Sequence, residues 1–79
     1  METRFSNLEP GETGNVVGFT EGSASYRSKL LAMGLVPGVP FHVVRKAPLG
    51  DPVEIRLNGF HLCLRRKEAE MLRVEKGNG

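Results

Sequence analysis

The residues best suited to chemistry in this 79-residue sequence are two histidines and one cysteine. His42, His61 and Cys63 are its strong nitrogen and sulfur donors for a transition metal. His61 and Cys63 stand two residues apart in an alternating segment, so a strand places both side chains on one face. Their spacing could hold a metal at an interface between molecules, but a site within one chain lacks the remaining ligands. The sequence therefore predicts an ordinary solvated strand face and no bound metal.

Catalysis by Cys63 would require a base and an orienting group beside the thiol. Glu54 and His61 are the candidates, but alternation places them on a flat sheet face where no pocket is implied. The sequence also lacks a phosphate-binding loop ending in Gly-Lys-Ser/Thr and a dinucleotide-binding fingerprint. These absences predict a protein that is not an enzyme and that needs no cofactor.

The charge distribution changes sign along the chain, although the net charge is only +2. Residues 1–22 carry four Glu and one Arg, whereas residues 23–46 carry four basic residues and no acid. Such asymmetry can steer an anionic partner towards one region. The densest basic run, residues 65–67, lies beside Glu68 and Glu70 and has no aromatic stripe for stacking bases. We therefore expect no nucleic-acid partner.

Two further features bear on the compartment. A single cysteine cannot form an internal disulfide, and the first six residues lack the basic and apolar segments of a secretion signal. The longest run without a polar side chain, residues 30–36, is far shorter than the ~20 residues of a membrane helix. We expect a cytoplasmic protein with no direct membrane insertion.

The clearest structural signal is a hairpin around Asn58-Gly59, the dipeptide that favours a two-residue turn. It joins the alternating runs 53–57 and 60–64. The register places apolar residues on one face and mostly polar residues on the other. The predicted apolar cross-strand pairs are Leu57 with Phe60, Ile55 with Leu62, and Val53 with Leu64.

The other elements follow from periodicity and turn residues. Residues 13–20, 41–46 and 72–75 favour strands, and residues 65–71 favour one helical turn. From about Ser23 the spacing of Tyr26, Leu30 and Met33 is helical, with Ser23 or Ser25 as the cap and Gly34 as the stop. Five short strands with one helix between the first two predict a mainly β, SH3-like, partly open barrel. We expect one domain, residues 1–75, and a frayed tail, residues 76–79.

Two features are not explained by a core alone. Leu49 lies in Pro48-Leu49-Gly50-Asp51-Pro52, a rigid turn that can leave an apolar side chain exposed. If Tyr26, Leu30 and Met33 point inwards, the helix turns Arg27 and Lys29 towards solvent. The alternative, a leucine that folds back on the barrel and an ordinary solvated helix face, remains open.

Residues 22–38, together with the segments Val43-Val44-Arg45, 47–52, 64–69 and Val74-Glu75, resemble the bacterial ferrous-iron transport protein A (FeoA) family. The resemblance covers nearly the whole chain, in order. It implies an SH3-like barrel with a helical insertion and an accessory role in ferrous iron uptake. It also implies a partner, an FeoB-type ferrous iron transporter, contacted at its cytoplasmic GTPase domain or its membrane portion, and no iron ligands in this chain.

Within the segments that carry the resemblance, we predict a partner-binding surface on the helix and in the turn. Some of these residues can act only by seating the helix. The alternative function is a regulatory module of an iron-dependent regulator, and a nucleic-acid-binding barrel ranks below it. Exposed barrel edges also allow a weak homodimer. The predicted partner-binding residues are Tyr26, Arg27, Lys29, Leu30, Met33, Leu49 and Asp51.

Overall fold

The computed structural model describes residues 2–21 and 24–77 of the chain. Within them lie six strands and two α-helices, with short 3-10 turns at Phe5–Asn7 and Pro48–Gly50. In chain order the elements are β1 (Glu2–Arg4), β2 (Thr13–Phe19), α1 (Ala24–Ala32), β3 (Pro40–Lys46), β4 (Val53–Leu57), β5 (Phe60–Leu64), α2 (Arg66–Glu70) and β6 (Leu72–Lys76).

The six strands form one antiparallel sheet in the order β1-β6-β2-β3-β4-β5. The predicted mainly β, SH3-like fold is confirmed, and the five predicted strands are found at the expected places. The strand β1, which has only three residues, was not predicted. β1 pairs with β6 at the other end of the chain, so no local pattern predicts it.

The predicted hairpin register is confirmed at every pair, from Leu57 with Phe60 to Val53 with Leu64. The adjacent valines of β3 are explained by a bulge, because the register with β4 shifts between Val43 and Arg45. A bulge places one extra residue opposite the partner strand and re-aims the side chains that follow it.

The buried apolar side chains form one hydrophobic core on the inner face of the sheet. It contains side chains from β2 to β6, from α1 and from the turn after β1. Phe5 of that turn stacks on Phe41 of β3, with ring centroids 5.4 Å apart. A Cβ atom on Gly14 would lie 2.8 Å from the Glu75 carbonyl oxygen and 2.9 Å from Phe41, so this close approach requires glycine.

The inserted helix α1 is confirmed, and it ends as predicted. The φ angle of Gly34 is +96°, a conformation that glycine adopts readily. The Leu35 N–H donates to the Leu30 carbonyl at 3.1 Å, which closes the last turn. Of the two proposed caps, Ser23 lies outside the described residues. No helix in the described ranges has the length and apolar character needed to cross a membrane.

The chain end differs from the prediction. β6 continues through Lys76, and the Gly77 N–H donates to the Thr13 carbonyl at 2.7 Å. Residues 76 and 77, the first two of the predicted tail, are therefore held against β2. Backbone pairing extends beyond residues 72–75, whose alternating side chains predicted the strand. Residues 78 and 79 lie outside the described residues.

Candidate partner-binding surface

The apolar residues of α1 face the core. Leu30 is fully buried, and Tyr26 and Met33 are partly buried against the core. This confirms the inward orientation predicted from their spacing. Leu30 therefore cannot touch a partner in this structure, and it can affect binding only by holding α1 in place.

Lys29 is not a free surface cation, because its ammonium group pairs with the carboxylate of Glu68 on α2. The Glu68 side chain is almost completely buried, with 3% of the residue exposed. It also accepts a hydrogen bond from the Arg65 backbone N–H at 2.9 Å. The hydrogen bond from Lys29 lowers the pKa of Glu68, although burial opposes that shift. The pair fastens α1 to α2.

Arg27 projects from the solvent side of α1. Its guanidinium carbon lies 5.5 Å from the centroid of the Phe19 ring, within the range of a cation–π contact. No acidic side chain among the described residues forms an ion pair with Arg27. Its charge is therefore available to an anionic partner.

Leu49 lies at the tip of the turn between β3 and β4, and 92% of its surface is exposed. Its φ angle is +68°, in the left-handed region that costs a residue with a Cβ about 1–2 kcal/mol. The turn is held at its base by hydrogen bonds from Gly50 N–H to the Ala47 carbonyl and from Ala47 N–H to the Pro52 carbonyl, at 2.8 and 3.0 Å. A rigid turn thus presents an apolar side chain in a strained backbone conformation.

Asp51 connects this turn to α2. Its carboxylate accepts a hydrogen bond from the Arg66 backbone N–H at 3.2 Å, at the first residue of the helix. Lys29 meets the same helix at Glu68. The short helix α2 is therefore contacted by both groups of predicted residues, through Lys29 of α1 and through Asp51 of the turn. We call Arg27, Lys29, Leu49 and Asp51, with the exposed α2 residues Arg66 and Lys67, the α2-centred surface.

A second apolar area, near the end of α1, was not predicted from the sequence. Phe60 belongs to the apolar face of the hairpin, as predicted, but 43% of it is exposed. Leu31 and Val36 are also exposed, on either side of Gly34 in the chain. An added Cβ on Gly34 would lie 3.8 Å from the Phe60 ring, so the end of α1 lies beside the start of β5. The alternation of apolar and polar residues predicted the correct sheet face for Phe60. It could not show how much of that face is covered by other parts of the chain.

The polar face of the β4–β5 hairpin contains a small hydrogen-bonded group. The Glu54 carboxylate lies 2.8 Å from His61 Nδ1 and 3.4 Å from the Arg45 guanidinium. The hydrogen bond with His61 is the main reason that the pKa of Glu54 is lowered. Cys63, opposite Glu54 in the register, is exposed. Residues 2–21 and 24–77 contain no group of three or more metal-ligating side chains.

Comparison with known proteins identifies the family. The family model described as the FeoA domain matches residues 3–76. The chain is also 39% identical over 72 residues to a Porphyromonas gingivalis protein named Fe(2+) transport protein A/Fe(2+) transporter FeoB fusion protein. That match covers 91% of this chain but only 8% of the fusion protein.

Solved structures agree with the fold. The NMR structure of an FeoA-like protein from Clostridium acetobutylicum superposes with a TM-score of 0.85 at 35% identity, covering 95% of this chain and 86% of that one. A manganese-dependent transcriptional repressor has a TM-score of 0.87 at 13% identity, covering 96% of this chain and 37% of the repressor. The second likeness shows a shared fold alone. With a family match over nearly its whole length, this chain belongs to the FeoA domain family.

Proposed function

We propose that this chain is a cytoplasmic accessory protein of ferrous iron uptake that binds the cytoplasmic part of an FeoB-type transporter and promotes transport. The observation that carries the proposal is the Porphyromonas gingivalis protein, whose name joins a Fe(2+) transport protein A and an FeoB transporter in one polypeptide. Covalent linkage holds two modules at a high effective concentration. A separate chain needs a binding surface to achieve the same association.

The α2-centred surface supports the proposal on physical grounds. Burying an exposed leucine contributes about 1.5–3 kcal/mol, and Leu49 makes almost none of that contribution within this chain. A residue that is exposed and also strained does not stabilise its own fold, so a role in contacting another molecule accounts for it best. Arg27 adds a positive charge on α1 that favours an acidic patch on the partner.

The chemistry of the described residues fits an accessory role without catalysis. Cys63 and His61 lie on an exposed sheet face, where the His61 imidazole is hydrogen-bonded to Glu54. A nucleophile, its base and a binding pocket are therefore not assembled there. We assign the chain a role in protein association at the inner face of the membrane, to which the transporter recruits it.

The test is a titration of the purified chain against the cytoplasmic GTPase domain of the FeoB-type transporter from the same organism, with and without GTP. We expect saturable binding in at least one nucleotide state. Leu49→Ala should weaken it by about tenfold, because the few residues that dominate an interface each cost more than about 1 kcal/mol when truncated. Arg27→Glu should weaken binding more at low salt than at high salt, because salt screens the interaction between charges.

Asn58→Ala is the matched control, because Asn58 is also exposed and also has a positive φ angle, +50°, in the other tight turn. It should bind like the unmodified chain. Absence of binding to the GTPase domain in every nucleotide state, followed by absence of binding to the complete transporter in detergent, would refute the proposal.

A regulatory module of an iron-dependent regulator is the second candidate. It is favoured by the likeness to the manganese-dependent repressor, in which the matched part is 37% of a longer chain. Measurements on a strain that lacks this chain separate the two candidates. The accessory role lowers iron uptake per transporter molecule at constant transporter transcript, whereas a regulatory role changes the transcript and leaves uptake per molecule constant.

A further inference from the structure

The two edges of the sheet differ in how they are protected. β1, at one edge, is three residues long and carries Glu2 and Arg4, which are features that discourage pairing with another strand. β5, at the other edge, has five residues and contains no Lys, Arg, Asp, Glu or Pro. Among the described strands, only β4 pairs with β5. The outer edge of β5 therefore has no strand partner among the described residues and no charged side chain that would discourage one, and the end of α1 lies beside its first residue, Phe60.

The hairpin register shows which groups face this open edge. In a hairpin with a two-residue loop, the flanking pair Leu57–Phe60 exchanges its hydrogen bonds, and such pairs then alternate along the ladder. The pairs Arg56–His61 and Glu54–Cys63 are consequently not hydrogen-bonded to each other. The backbone N–H and C=O groups of His61 and Cys63 point to the open edge and can pair with another strand.

The side chains of these two residues carry an imidazole and a thiol, which are groups that bind transition metals. Both are on the polar face of β5, about 6.8 Å apart along the strand, and both are exposed. His61 Nδ1 lies 2.8 Å from the Glu54 carboxylate, so a neutral imidazole donates its Nδ1 proton there and keeps the lone pair on Nε2. A carboxylate in this position is the usual orienting partner of a zinc-bound histidine.

A second copy of β5 would supply the two further ligands of a four-coordinate site. An antiparallel pairing in which Leu62 faces Leu62 of the second copy uses all four free backbone groups of His61 and Cys63. It also places each His61 opposite Cys63 of the other copy, with Cα atoms about 5.5 Å apart. Two histidines and two cysteines then lie on one face at spacings that side chains can close around a tetrahedral ion, with ligand bonds of about 2.0–2.3 Å.

The surrounding charges and apolar surface are compatible with this pairing. Binding releases the proton of each Cys63 thiol to solvent, and the two thiolates balance the charge of a divalent cation. In each copy Glu54 is the cross-strand neighbour of Cys63, and Arg56 is the cross-strand neighbour of His61. The negative charge of Glu54 and the positive charge of Arg56 cancel. The same register places Phe60, which is 43% exposed, opposite Leu64 of the second copy, so the pairing puts no charged residue against its ring.

We propose that the edge strand β5 forms a zinc-bridged dimer, in which His61 and Cys63 of two copies bind one Zn²⁺ ion. This inference does not rest on the proposed function, because the α2-centred surface contains no residue of β5. The soft thiolate and imidazole ligands favour Zn²⁺ over Mg²⁺ or Ca²⁺, which prefer oxygen ligands.

The test measures the molar mass of the full chain by light scattering after size exclusion, in a phosphine reductant that prevents disulfide formation. With Zn²⁺ we expect the mass to double and one ion to bind per two chains. With Co²⁺ as a spectroscopic probe we expect thiolate-to-cobalt charge transfer and the visible bands of a tetrahedral site. Chelation should restore the single chain and abolish the bands.

Substitutions distinguish zinc binding at His61 and Cys63 from zinc binding elsewhere on the chain. Cys63→Ser and His61→Ala should each abolish the doubling, and Cys63→Ala and His61→Gln repeat these tests with different side chains. Glu54→Gln should weaken zinc binding by about 10–100-fold while keeping the thiolate band. His42→Ala is the matched control, since His42 lies on β3, and it should dimerise normally.

A chain that stays single with excess Zn²⁺, or a Co²⁺ complex without thiolate charge transfer, would overturn the proposal. A dimer that persists in chelator, or in the Cys63→Ser variant, would also overturn it, because the pairing would then not depend on the metal site. Thermal unfolding followed by circular dichroism checks that each variant is folded before its mass is measured.

Discussion

The two groups of predicted residues, on α1 and in the β3–β4 turn, differ in how they are held. On α1, Leu30 is buried in the core and Lys29 is paired with the buried Glu68. In the β3–β4 turn, Leu49 is almost fully exposed, and its turn is held by backbone hydrogen bonds at its base. Substitutions of Leu30 and Lys29 should therefore act largely through stability, whereas truncation of Leu49 should weaken binding without a loss of stability. The following four predictions test this difference, from the largest expected effect on stability to the smallest.

Leu30→Ala should destabilise the fold by about 2–5 kcal/mol, because it removes a fully buried side chain and leaves a cavity. The free energy of unfolding from urea titration measures the change. Leu31→Ala is the matched control on the same helix, and its exposed side chain should make the loss less than about 1 kcal/mol. Equal losses for the two variants would mean that α1 is not seated through Leu30.

Lys29→Met should cost about 1–3 kcal/mol near neutral pH, because it leaves the buried carboxylate of Glu68 without its cation. The pKa of Glu68 is lowered in the folded chain, so near that pKa the unfolded chain binds more protons than the folded chain. The pair therefore stabilises the fold at pH values above 4.5, the ordinary pKa of a glutamate. That stability is lost as pH falls through the folded pKa. The difference between the two proteins should therefore shrink in acid.

Lys67→Met is the control for that pH series, since Lys67 is exposed on α2 and forms no ion pair with the described residues. Its unfolding free energy should follow that of the unmodified chain at every pH. A Lys29→Met deficit that stays constant from neutral to acid pH would contradict the assigned role of Glu68.

Arg27→Glu should reduce stability by about 0.5–1 kcal/mol, the usual contribution of an exposed cation over an aromatic ring. Arg27→Lys keeps the charge and should change stability less. Calorimetric melting of the three proteins measures this order. If both variants bind the transporter domain as the unmodified chain does, α1 contributes no charge to the partner contact.

Leu49→Gly should leave stability unchanged or raise it by up to about 1 kcal/mol, because glycine adopts the left-handed conformation without strain. The same change should remove the apolar contact and weaken binding. Asn58→Gly relieves a comparable conformation in the hairpin and should keep full binding. A marked loss of stability in Leu49→Gly would show that the side chain supports the turn rather than a partner.

Local patterns predicted much of the fold correctly. The hairpin register followed from alternation around Asn58-Gly59, and the helix from the spacing of Tyr26, Leu30 and Met33. These features depend on neighbours within a few residues, so the sequence displays them directly. The same reasoning identified Leu49, because a leucine between two prolines and a glycine has few neighbours in the chain that could cover it. Its role in binding stays a prediction.

Contacts between residues far apart in the chain could not be predicted from local patterns. Glu2 accepts two hydrogen bonds from the Arg73 guanidinium, at 2.6 and 2.7 Å, across a separation of 71 residues. Lys29 and Glu68 are 39 residues apart. Charged residues at such separations show no periodic relation, so neither β1 nor the pair that fastens α1 to α2 was expected.

The sequence by itself determined the family, the strand and helix periods and the face to which each side chain of the hairpin belongs. The tertiary structure decided which strands are edges, how far each apolar face is covered, and that α2 joins α1 to the β3–β4 turn. The physical reason is that periodicity is set by backbone geometry within one element, whereas exposure depends on which distant elements pack against it. Phe60 illustrates the difference, since its face was predictable and its exposure was not.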